Sequence, residues 1–183
     1  MPAPTSPARA PGANAPERQD SPPDAHRITI RHTFETAHRL PQLGGRCASL
    51  HGHSWRVVVQ VRAHALDGDL TVVEFGGLKA GVRDWVDTHL DHATMLGIED
   101  PLVEPLLAAG CEVFRFGAGH SATDAERSAG DLAWPTTEAV AVLLFRVARD
   151  VLAGLPSAPR ARVGGVLVRE APLNTASYRP DDL

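Results

Sequence analysis

Lysine is almost missing from this chain: Lys79 is the only one in 183 residues, and every other basic residue is an arginine. That balance reads as codon bias and carries no functional weight. The formal net charge is −4. It excludes the broad basic footprint that general nucleic-acid binding requires, so no nucleic-acid partner is expected. A local basic pocket for a phosphorylated small molecule remains compatible with it. Cysteine is also scarce, with only Cys47 and Cys111. Two thiols do not make the disulfide framework of a small secreted domain. The first residues form no continuous apolar leader, and no apolar run approaches the ~20 residues needed to span a bilayer. The expectation is a cytoplasmic protein with no membrane partner. Cys111, in Gly110-Cys111-Glu112-Val113, is expected to be a small packed residue.

With 43% hydrophobic residues, the chain can bury one sizeable core. Residues 1–25 are rich in Pro, Ala, Ser and Asp without apolar periodicity and read as a disordered tail; 26–183 reads as a single folded domain. Residues 28–38 alternate as a strand, with Ile28, Ile30, His32, Phe34, Thr36 and His38 on one face. A loop follows, carrying Pro41 and Gly44-Gly45, and then a second strand over 52–65. Helical spacing predicts helices over 77–89 and 135–155, the latter with Thr136 as N-cap and Glu138 in its first turn. Strands over 163–170 and 174–179 close the chain. The order ββααββ predicts an α+β domain: a four-stranded antiparallel sheet with two helices on one face. Its bare edges call for assembly. An insertion at about 98–134, with a possible short helix (102–109) and a strand-like stretch (111–116), reads as surface decoration.

The chemistry concentrates between His38 and His53. Side chains alternate along a strand, so His51 and His53 project to the same side. With His38 from a neighbouring strand, three imidazole nitrogens can converge on one metal. Three protein ligands with one open position is how catalytic zinc is held.

Several motifs then occur in a telling order: 34–41 (Phe-Glu-Thr-Ala-His-Arg-Leu-Pro), 47–54 (Cys-Ala-Ser-Leu-His-Gly-His-Ser), 73–79 (Val-Glu-Phe-Gly-Gly-Leu-Lys), Leu90-Asp91-His92, Pro135-Thr136-Thr137-Glu138 and Val168-Arg169-Glu170. Together they resemble the 6-pyruvoyl-tetrahydropterin synthase and 6-carboxytetrahydropterin synthase family. Three residues between Cys47 and His51 resemble its bacterial, queuosine-type branch. The resemblance implies the tunnelling fold (T-fold), in which subunits join sheets edge to edge into a barrel. A homo-oligomer is expected, with a hexamer favoured. It implies Zn2+ held by His38, His51 and His53, and 7,8-dihydroneopterin triphosphate as substrate. Cys47 matches the catalytic base, Asp91 and His92 the proton relay, and Glu170 the carboxylate that anchors the pterin, with Glu138 as further support for pterin binding. The partner of Asp91 is left open between its own His92 and that of another subunit. Arg39, Arg46, Arg56 and Lys79 are the candidates for the triphosphate.

The chain departs from the family pattern in having Glu74 where Asp is usual, Ala171 where Thr follows the anchoring Glu, and the insertion. Two further enzyme readings are 6-pyruvoyl-tetrahydropterin synthase and a related side-chain lyase. A non-catalytic pterin-binding module is an alternative of another class. A cupin also uses His-x-His, but 56–63 offers no carboxylate ligand.

Overall fold

The computed structural model describes residues 24–180. All but the last two residues of the expected tail lie outside the described residues.

Six strands form one sheet: β1 (His26–His38), β2 (His51–Ala63), β3 (Thr94–Gly97), β4 (Val113–Phe116), β5 (Arg162–Ala171) and β6 (Asn174–Tyr178). Their spatial order is β4-β3-β1-β2-β5-β6. Trp55, Val57, Val59 and Val61 of β2 are buried, while Arg56 between them is exposed. A one-residue slip would turn all four to water. At about 1.5–3 kcal/mol per side chain, the loss would be roughly 6–12 kcal/mol. The register of β2 against β1 is therefore fixed by the core, and it sets Phe34 opposite Trp55 and His38 opposite His51.

The buried face carries helices α1 (Phe75–His89) and α3 (Thr137–Ala153), which touch each other. α1 buries Leu78, Val82 and Val86. Its N-cap is Glu74, whose carboxylate accepts from the N–H groups of Gly76 and Gly77. This gives the longer acid a local role that Asp also performs. Thr136 caps α3 as expected, its hydroxyl accepting from Ala139 N–H. Among the described residues, no helix is long and apolar enough to cross a membrane.

The four-stranded antiparallel sheet with two helices is corrected to a mixed six-stranded sheet with three helices. The additions are β3, the short helix α2 (Val103–Ala108) and β4. β3 runs parallel to β1, and β4 parallel to β3. The insertion is thus no decoration: Phe114, Phe116 and Ala129 lie in the main core. Gly97 ends β3 against Trp134, where a Cβ would come within 2.7 Å of the indole. Cys111, expected to be packed, is exposed ahead of β4.

A buried ion pair lies within the insertion. Arg115 grips both oxygens of Glu126 at 2.7–2.8 Å, and Glu126 also accepts from the N–H groups of Arg115 and Thr123. Burial pushes the Glu126 carboxyl up, but these donors outweigh it and hold its pKa below the usual value. Glu126→Gln is expected to cost about 3 kcal/mol at pH 7, because it leaves Arg115 without its counter-charge. Since the folded pKa is depressed, the contribution is complete above the unfolded value near ~4.3 and disappears as pH falls through the folded one. Urea midpoints of wild type and variant should converge on acidification; a gap that persists at low pH would contradict this.

Candidate metal centre

Alternation along β1 and β2 delivers the three predicted imidazoles to one end of the core face. His38 and His51 are a directly opposed pair, and His53 lies opposite Thr36. Ring centroids stand 4.7 Å apart for His38–His51, 4.9 Å for His51–His53 and 5.3 Å for His38–His53. Trp55 closes the inner side, edge-on to His38 and His53.

Two backbone carbonyls orient these rings. His38 Nδ1 donates to Pro135 O at 2.9 Å, and His51 Nδ1 donates to Ser49 O at 2.7 Å. A carbonyl can only accept, so both rings carry their proton on Nδ1 and turn an Nε2 lone pair inward. The Nε2 atoms of His38 and His53 are buried without a hydrogen-bond partner. Burial, above all, lowers the pKa of His38, against the pull of the Pro135 bond and Glu170; His53 is lowered by burial too, opposed by Glu170. Both shifts favour the neutral ring, the form that metal ligation requires.

Glu170 joins them. Its Oε1 lies 3.0 Å from His38 Nε2 and 3.5 Å from His53 Nε2. One ligand atom from each of His38, His51, His53 and Glu170 falls within 4.8 Å of the others. Three nitrogens and a carboxylate oxygen suit zinc, and the buried, unpaired nitrogens are what such an ion would satisfy. The sequence had pointed to Glu170 only as a pterin anchor. Its presence here follows from β5: Val166, Val168 and Glu170 share the core face, and the β5–β6 ladder skips at Glu170, pairing Arg169 with Thr175 and Ala171 with Asn174. Such bulges re-aim a side chain.

The other predicted residues lie around this centre. Cys47 is exposed on the 3-10 turn Gly45–Ala48 between the two histidine strands, and its carbonyl accepts from Leu40 N–H at 2.7 Å. Asp91 and His92 bond each other within one chain, Asp91 Oδ2 accepting from His92 Nδ1 at 2.8 Å. His92 adopts φ +60°, which few residues other than glycine tolerate. In that conformation its N–H donates to Glu35 O at 2.6 Å, while Asp91 Oδ1 accepts from Glu35 N–H at 2.7 Å. Partial burial raises the Asp91 carboxyl, but the Glu35 N–H and His92 prevail and leave its pKa lowered. His92 opens onto a cleft of about 410 Å³ shared with Glu35, Ser54 and His53; Asp91, His38 and His51 do not line it. Glu138 is exposed in the first turn of α3.

The triphosphate candidates separate. Arg39 faces the buried Asp100 carboxylate at 3.4 Å, so its charge already has a counterpart. Arg56 projects to the opposite face of β2 from His51 and His53, where it lines a cleft of about 430 Å³ with Arg31, Lys79 and Arg169. Arg46 is exposed beside Cys47. Sequence reasoning missed Pro135, Ser49 and Glu35, which all act through backbone atoms. Only Pro135 had a readable signal: a carbonyl just ahead of an N-cap has no intrahelical donor and is free to hold a side chain.

A profile of 6-pyruvoyl tetrahydropterin synthases matches residues 27–181. The chain belongs to this family. It is similar to the 6-carboxy-5,6,7,8-tetrahydropterin synthase of Synechocystis, at 42% identity over 83 residues, which is 42% of this chain and 64% of that one. A probable 6-carboxy-5,6,7,8-tetrahydropterin synthase of Halobacterium salinarum is 32% identical over 143 residues, covering 78% and 79% of the two chains. The matches span 54–64% of the length of the first curated relatives. The crystal structure of Plasmodium vivax 6-pyruvoyl tetrahydropterin synthase shares the fold, with TM-score 0.58, 20% identity and coverage of 84% and 96%. The expected family and the α+β T-fold class stand.

Proposed function

We propose that the chain is a zinc-dependent lyase that converts 7,8-dihydroneopterin triphosphate to 6-carboxytetrahydropterin with release of acetaldehyde and triphosphate, in a route to 7-deazapurines such as queuosine. One observation carries the reading: three imidazoles converge, two of them with buried, unpaired nitrogens, and an exposed cysteine lies four positions ahead of His51 in the chain. The names of the Synechocystis and Halobacterium relatives support the choice of product.

Zinc bound by His38, His51 and His53 would supply Lewis acidity to the side-chain oxygens of the substrate. The protein does the rest. Cys47, as thiolate, takes a proton from the substrate side chain. Asp91, pinned by the Glu35 N–H, holds the proton of His92 on Nδ1 and so leaves Nε2 to move the second proton. Glu170 pairs with the amino and N–H donors of the pterin ring, and Glu138 supports it from the start of α3. Arg46, exposed next to Cys47 in the chain, is the candidate cation for the triphosphate.

Assembly into a homo-oligomer, with a hexamer favoured, fits the bare edges. β1 pairs with β3 only at Ala37 and His38, and β6 ends the sheet on the other side. Because the cleft lined by His92 holds only one of the three imidazoles, the His92 of one subunit can serve the centre of its neighbour.

Incubation with 7,8-dihydroneopterin triphosphate and mass analysis of the products tests the reading. Acetaldehyde and 6-carboxytetrahydropterin are expected. A retained three-carbon side chain would identify a 6-pyruvoyl-tetrahydropterin synthase instead, and no product at all a pterin-binding module.

A further inference from the structure

The contact between His38 and Glu170 is electrostatically odd. His38 has its proton on Nδ1, committed to Pro135 O, so Nε2 presents a lone pair. Glu170 Oε1, itself an acceptor, stands 3.0 Å away, and the pair is no hydrogen bond. Two acceptors face each other in a buried place, and the same oxygen lies 3.5 Å from His53 Nε2, which is also buried without a hydrogen-bond partner. Acceptors so placed repel unless a cation lies between them. Ligand atoms about 2.0–2.1 Å from a tetrahedral zinc stand roughly 3.3 Å from one another, and the two observed separations bracket that value. Glu170 therefore fits as a fourth ligand as well as the three imidazoles fit each other. Its other oxygen, Oε2, is reached by Asn174 Nδ2 at 3.4 Å. The side chain is 13% exposed, at the rim where a ligand can approach it.

The same carboxylate is the pterin anchor in the function proposed above, and the inference rests on that reading. A paired contact to the amino and N–H groups of a pterin uses both carboxylate oxygens, so the pterin competes with the imidazole-held ion for Oε1. We propose that Glu170 exchanges partners. Without substrate it is the fourth protein ligand and closes the metal site. A pterin draws it away, and the fourth position opens only when the ring is seated. The bulge at Glu170 gives the backbone a point at which this re-aiming costs no ladder bond.

Cobalt(II)-substituted full-length protein tests this without turnover, with neopterin as the unreactive probe. The visible d–d bands should be those of four-coordinate cobalt and should shift as neopterin binds, with binding followed independently by quenching of its fluorescence. Glu170→Gln should bind cobalt at least 10-fold more weakly and show altered bands that neopterin no longer moves. Wild-type affinity and bands in Glu170→Gln would overturn ligation by this residue. Neopterin that binds while the wild-type bands stay fixed would overturn the exchange and leave the pterin reading intact. Failure of neopterin to bind would instead remove the pterin reading, and the exchange with it.

Discussion

Replacing His51 by alanine is expected to abolish stoichiometric metal binding while leaving the fold in place. His51 is the informative choice among the three imidazoles. His38 is fully buried and bonded to Pro135, so its removal would also open a cavity and orphan a carbonyl. His51 is only partly buried, and its loss frees just the Ser49 carbonyl at the exposed end of the strand. The stability cost should therefore stay within about 1 kcal/mol. The metal cost should be far larger. Outer-shell partners of a metal ligand are worth roughly 10–100-fold in affinity, and a ligand itself exceeds that. Metal per chain, measured after gel filtration, should fall from one to near zero. Full occupancy in the variant would remove the imidazole trio as the binding site.

Cys47→Ala should do the reverse: keep the metal and the assembly, and lose turnover by at least 10²-fold, the lower range for removing a positioned general base. The physical case is the isolation of the thiol. Its side chain is exposed, and the turn that carries it is held by backbone bonds, Leu40 N–H to Cys47 O and Ser49 N–H to Arg46 O. Alanine keeps both, so melting temperature and metal content should not move. Activity within a factor of two of wild type would take Cys47 out of the chemistry.

The legible parts of the molecule were those whose signal is local. Period-two alternation in β1 and β2 placed the histidines on one face, and spacings of three and four located α1 and α3. Val113–Phe116 was legible as a strand-like stretch, but not its place in the main sheet, which it reaches through β3. β3 itself was missed for a plain reason: Thr94–Gly97 is four residues long, and Met95, Leu96 and Gly97 are all buried, so it has no alternation to read. Glu170 was recognised as a carboxylate with a task, but its approach to His38 depends on a bulge and on the β2–β5 register. Neither is written in the residues themselves. Backbone carbonyls such as those of Pro135 and Ser49 belong to every sequence alike and leave little mark in any.

One of those carbonyls ties the centre to the start of α3. His51 and His53 are neighbours on a single strand, so half of the centre exists as soon as β2 is extended. His38 gains its fixed tautomer only from Pro135, 97 residues further along the chain. The trio is fully oriented only with α3 docked on the sheet, so an ion bound by it is expected to stabilise the packed domain rather than the β1–β2 pair alone.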